Sequence, residues 1–121
     1  MAAFLGARLE PGFERFGRHA ALARHLRWAD LVVTGEGTID DSTLMGKGVG
    51  QIAKRCLDLS IPCIGLAGRS AASASKLCGF TQTHALTRLT TVEQAKARPA
   101  YWLERLAQRV AQGWSSAGVT L

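Results

Sequence analysis

Three short apolar runs alternate with helical patterns along this chain, and that alternation leaves few folds open. The first run is Ala29-Asp30-Leu31-Val32-Val33-Thr34-Gly35, rich in β-branched residues and closed by glycine. The second is Pro62-Cys63-Ile64-Gly65-Leu66-Ala67-Gly68, and the third spans Thr83 to Leu89. Each is too short for a buried helix and reads as a buried parallel strand. Between the first two, Val49, Ile52, Ala53, Cys56 and Leu57 recur at i, i+3, i+4, i+7 and i+8. That stripe predicts a helix over 46–58, packed on a sheet.

The remaining segments extend the pattern. Pro11-Gly12 opens a helical region over 11–28, weakened at Gly17, with Leu22 and Leu26 on a second short helix. Ser70 is placed to cap an Ala-rich helix ending at Gly79. Thr91 and Gln94 have capping-box spacing at the head of the last helix. Leu103, Leu106, Ala107, Val110, Ala111 and Trp114 form its expected apolar stripe, and Pro99 should kink or restart it. The order strand, helix, strand, helix, strand, helix predicts a three-layer α/β fold, a parallel βαβαβα unit behind an N-terminal helical segment.

Composition narrows the function. A hydrophobic share of 47% is that of an ordinary globular domain. No run approaches a membrane span, and the N-terminus lacks the basic region of a secretory signal. The net charge of +6 raises nucleic acid as a partner. The basic residues are scattered over several helices without interleaved aromatics, which argues against it. Cys56, Cys63 and Cys78 form no C-x-x-C pair and read as buried free thiols in a reducing cytoplasm.

One stretch breaks the basic background. No Lys or Arg falls between Arg27 and Lys47, while Asp30, Glu36, Asp40 and Asp41 all do. The first run leads into Thr34-Gly35-Glu36-Gly37-Thr38-Ile39-Asp40-Asp41-Ser42-Thr43-Leu44-Met45-Gly46-Lys47, read as a loop at the carboxyl end of a strand, where open parallel sheets bind ligands. Glycines allow close backbone approach, carboxylates can hold Mg²⁺ or accept a hydroxyl proton, and a Lys beside a helix N-terminus can neutralise phosphate. These are the groups phosphoryl transfer needs. A polar loop whose Asp41, Ser42 or Thr43 merely caps a helix is the other reading, and residue chemistry alone leaves both open.

Common nucleotide motifs fail here. A Walker loop would need Gly at 41 and Ser or Thr at 48, where Asp41 and Gly48 stand. A dinucleotide fingerprint starting at Gly35 would need Gly in place of Asp40. His19 and His25 read as wet-face residues, and His84 as a hydrogen-bonded strand or rim histidine. Ser70, Ser73 and Ser75 lack a nucleophile-elbow pattern.

The stretch Thr34-Gly35-Glu36-Gly37-Thr38-Ile39-Asp40, continued by Ser42, Thr43, Leu44, Gly46 and Lys47, resembles the hallmark of the bacterial glycerate kinase family. Phe4-Leu5-Gly6-Ala7, Leu9-Glu10-Pro11-Gly12, Ile64-Gly65-Leu66-Ala67-Gly68 and Leu86-Thr87-Arg88-Leu89-Thr90 are similar to other parts of its pattern in the right order. Thr38 replaces the family's usual Arg, Val49 stands where many members have Pro, and Pro99 falls in a helix that is usually uninterrupted. The resemblance implies the C-terminal part of a longer two-domain enzyme. Residues 1–28 would be a tail of the second domain or a connector, and 29–121 a Rossmann-like part of the kinase domain.

It also implies ATP-dependent phosphorylation of D-glycerate with Mg²⁺, in a cleft of which this chain supplies one wall. Asp40 and Glu36 would take catalytic and metal roles, Lys47 phosphate, and Gly35, Gly37, Ser42, Thr43 and Gly46 would bind substrate or phosphate. Met1 would fall inside the family's pattern, so the chain is expected to be inactive alone and to self-associate into a homo-oligomer through surface left bare. The competing readings are a non-catalytic α/β module that binds a small anion or a partner chain, and an unrelated nucleotide-binding domain.

Overall fold

A computed structural model describes residues 21–40, 43, 48–71 and 79–116. The described elements run α1 (Leu22–Trp28), β1 (Val32–Ile39), α2 (Gly48–Asp58), β2 (Cys63–Ser70), β3 (Gln82–Ala85), a 3-10 turn (Leu86–Arg88), α3 (Val92–Ala97) and α4 (Pro99–Ser116). The strands form one parallel sheet in the order β1-β2-β3. Val32 pairs with Cys63 and Glu36 with Ala67, while Leu66 pairs with His84. This is the expected parallel α/β architecture.

Successive strand residues point to opposite faces, and the two faces bury different clusters. On one, Cys63 and Ala67 pack with Ala53 and Cys56 of α2, Leu26 of α1, Ile39 and Phe80. On the other, Leu66 packs with Leu86, Ala95 of α3, and Leu106, Trp102 and Val110 of α4. The sheet is therefore the middle of three layers. Fully burying a side chain the size of Ile39 or Ile64 stabilises by roughly 1.5–3 kcal/mol.

Several elements differ from the sequence reading. The first strand does not stop at Gly35 but runs to Ile39, so Gly35, Glu36 and Gly37 are strand residues. Glycine is a weak strand former in isolation, yet pairing along β2 out to Ser70 supplies the missing hydrogen-bond partners. The third strand ends at Ala85, because Leu86 turns in to be buried with Ala95 and Leu106. Ser70 is the last residue of β2, and its hydroxyl lies 3.4 Å from that of Thr83. Most of the expected Ala-rich helix lies outside the described residues.

The last helix is two helices. Thr91 caps α3, its hydroxyl accepting from the Gln94 N–H at 3.2 Å, and Pro99 opens α4. Proline suits a first helical position, whose N–H has no intrahelical partner in any case. The expected stripe of α4 is only partly covered. Leu106 is buried and Val110 half-buried, but Leu103 is 46% exposed and Ala107 and Ala111 face solvent. Cys56 and Cys63 are buried free thiols as expected, and burial pushes the Cys63 thiol up to about 12. Cys78 lies outside the described residues.

Candidate functional site

The site is built on the carboxyl half of β1. Glu36 is half-buried, and at the strand's end Asp40 is half-buried as well. Thr43, only 1% exposed, ties them together. Its hydroxyl donates to Glu36 Oε1 at 2.5 Å and accepts from the Asp40 backbone N–H at 3.1 Å. The Thr43 N–H closes the turn onto the Asp40 carbonyl oxygen at 3.0 Å. A hydroxyl–carboxylate bond this short is of the charge-assisted kind, and it fixes the carboxylate's orientation.

Thr43 is held in turn by α2. A Cβ built on Gly50 would overlap the Thr43 carbonyl oxygen and come within 3.2 Å of its Cγ2. Helix α2 can therefore approach this turn only because residue 50 has no side chain.

Beside β1, on the side of the sheet that meets α3 and α4, runs a groove of about 860 Å³. Gly35, Glu36 and Gly37 contribute to its floor, Leu103 to an apolar wall, and Arg69 and Lys96 bring positive charge. The bare floor reflects close strand packing. A Cβ on Gly35 would lie 2.8 Å from the Leu66 carbonyl oxygen, and one on Gly68 would lie 2.9 Å from that of Gly37. In volume and lining the groove is of the kind that holds a small molecule.

The structure thus joins Glu36 and the Asp40 backbone through the hydroxyl of Thr43, while Gly35, Glu36 and Gly37 line the groove, whose lining includes neither Asp40 nor Thr43. Ser42, Gly46 and Lys47 lie outside the described residues, as does Asp41. The sequence reading missed Arg69 and Lys96, which no motif links to Glu36. Their signal is positional: Arg69 follows Gly68 on β2, in register with Thr38. Among the described residues no group of three or more His, Cys, Asp or Glu side chains is placed to hold a metal ion. Nor is any helix among them long and apolar enough to cross a membrane.

His84 sits at the rim of the sheet, its Nε2 3.0 Å from Gln82 Oε1. Burial, and then the nearby Arg88 charge, lower its pKa below the ordinary 6.5. The unfolded chain therefore binds this proton more readily than the folded one. Stability should fall as pH drops from 6.5 through the lower folded value and should be unaffected by His84 above 6.5. Thermal melts of the chain and of His84→Gln between pH 7 and pH 5 test this. The variant should lose less stability over that window, and parallel melting curves would remove His84 from the account.

Residues 1–115 match the model of a family described as the glycerate kinase family. An uncharacterized protein of Mycobacterium bovis is 35% identical over 117 residues, covering 94% of this chain and 31% of its own. A glycerate kinase of Bacillus cereus is 30% identical over 118 residues, covering 95% of this chain and 31% of its own. A glycerate 2-kinase of Escherichia coli is 41% identical over 71 residues, 56% of this chain and 18% of its own. The chain thus spans about 31% of the length of the first of these curated relatives. No solved structure matches.

Proposed function

Since the chain belongs to the glycerate kinase family, we propose that it supplies one wall of a phosphotransfer cleft in which the γ-phosphoryl group of ATP passes to a hydroxyl of D-glycerate. The observation that carries this reading is the Thr43 latch, which fixes Glu36 and the Asp40 backbone at the carboxyl end of β1. Parallel sheets place their chemistry at such strand ends.

Asp40 is the group to receive the proton of the glycerate hydroxyl or to hold the metal, and Glu36 orients substrate or shares the metal. Lys47 is assigned to phosphate charge, and Gly35, Gly37, Ser42 and Gly46 to substrate or phosphate contacts; Thr43, buried with its hydroxyl engaged by Glu36 and the Asp40 N–H, positions those two residues instead of touching substrate. The donor set fits Mg²⁺, which binds through one or two carboxylates and otherwise keeps water and phosphate oxygens. Asp40 and Glu36 are the residues that would hold it. When bound, it would neutralise charge on the transferring phosphate. Arg69 and Lys96 bring further positive charge to the same groove.

Phosphoryl transfer draws most of its rate from positioning both substrates with water excluded. The chain by itself is therefore expected to give no measurable glycerate-dependent ADP release, and to associate through the β1 edge that β2 leaves unpaired among the described residues. Grafting residues 1–115 over the matching stretch of the Bacillus cereus relative is expected to restore turnover in a coupled ADP assay. A folded chimera, judged by circular dichroism, that binds both substrates yet shows no turnover would sink the reading.

A further inference from the structure

Helix α4 borders two separate cavities. Pro99, Ala100 and Leu103 face the groove, while Trp102, Arg105, Gln108, Arg109 and Gln112, joined by Leu89, line a separate open pocket of about 340 Å³. The two cavities have no lining residue in common. Arg105 and Arg109 are one helical turn apart, as are Gln108 and Gln112, so each pair projects side by side. No carboxylate lines the pocket.

Two further observations point to a ligand. The Trp102 indole N–H is buried and finds no acceptor among the described residues. A buried donor without a partner calls for a water or an ion that completes it. Arg105 is also held in place, its guanidinium lying 5.3 Å from the centroid of the Tyr101 ring. A guanidinium held in this way loses less freedom when it grips an anion.

We propose that this pocket is an anion site for a phosphate dianion, free or carried as a small phosphomonoester, gripped by the Arg105 and Arg109 guanidinium groups. Gln108 supplies an amide N–H donor, and Leu89 and Trp102 give an apolar wall for an organic remainder. None of these residues belongs to the transfer site on β1, so the proposal does not rest on the kinase reading.

The test follows the Trp102 indole resonance in ¹H–¹⁵N spectra of the chain, assigned by its loss in Trp102→Phe. Methyl phosphate and inorganic phosphate are titrated separately, with sodium chloride matching ionic strength. A saturable shift is expected with phosphate and not with chloride. In Arg109→Gln and in Arg105→Gln the apparent Kd should rise at least about tenfold, with the circular dichroism unchanged. Tighter binding of methyl phosphate assigns the site to phosphomonoesters, and equal binding assigns it to free phosphate. A non-saturating shift that chloride reproduces, or full affinity in both arginine variants, overturns the proposal.

Discussion

Replacing Asp40 by Asn in the Bacillus cereus chimera should lower turnover by roughly 10²–10³ while leaving the fold intact. The substitution keeps the side chain's size and removes its charge. Two hydrogen bonds that order the turn use the Asp40 backbone: the N–H to Thr43 Oγ1 and the carbonyl oxygen to Thr43 N–H. Those two bonds do not depend on the carboxylate and should survive the change. What is lost is a negative charge where a hydroxyl proton or a metal must be held, and a drop of that size corresponds to roughly 3–4 kcal/mol of transition-state stabilisation. Steady-state kinetics with glycerate and ATP varied in turn will separate kcat from KM. A kcat within about threefold of the parent chimera, less than 1 kcal/mol of barrier, would remove Asp40 from the catalytic machinery.

Gly50→Ala should be the most damaging single methyl addition on α2. The new Cβ has nowhere to go, because the nearest obstacle is the backbone oxygen of Thr43 and not a flexible side-chain tip. Either α2 moves away from β1 or the turn at Thr43 is displaced. The first exposes Ala53 and Cys56, and the second breaks the hydroxyl bond to Glu36. Overpacking combined with a lost buried hydrogen bond should cost about 3 kcal/mol or more. For a chain of this size that is a fall in Tm of roughly 10 °C or more. Gly113→Ala is the control. Its Cβ on α4 would meet nothing among the described residues within 4 Å, and Ala in place of Gly in a helix should gain about 0.5–1 kcal/mol. Scanning calorimetry on the two variants decides the matter, and equal Tm values would show that α2 does not depend on close approach at residue 50.

The architecture was legible because it rests on long-lived patterns. The β-branched run at Leu31 to Val33, the helical stripe from Val49 to Cys56 and the Pro99 interruption each correspond to one element. Where the reading failed, tertiary context overrode local propensity. Gly35 and Gly37 look like loop residues in isolation, and only the partner strand β2 makes them strand. Leu103 and Ala107 obey helical spacing, yet they stay exposed although Leu106 between them is buried, because the described residues cover only one side of the stripe, and Leu103 opens onto the groove.

The site was legible as a list and not as a geometry. Glu36 and Asp40 stand out as the carboxylates of an acidic island. Nothing in the sequence says that Thr43, seven residues after Glu36, is the buried hydroxyl that orients it. Contacts of that kind depend on how a turn closes, which spacing does not encode. Arg69 and Lys96 escaped for a similar reason, since they reach the groove from β2 and α3, far from the motif in sequence.

The three glycines along the groove floor will not drift alike under selection. Any side chain at Gly35 or Gly68 forces β1 and β2 apart, so the fold by itself purges change at both positions. Gly37 is under no such pressure, because a Cβ there has nothing among the described residues within 4 Å. Its tolerance in a library of variants therefore reports on what else must fit beside the strand. A position 37 that accepts any residue in the bare chain but only glycine in an active chimera would make this one site a gauge of occupancy, readable by sequencing the survivors.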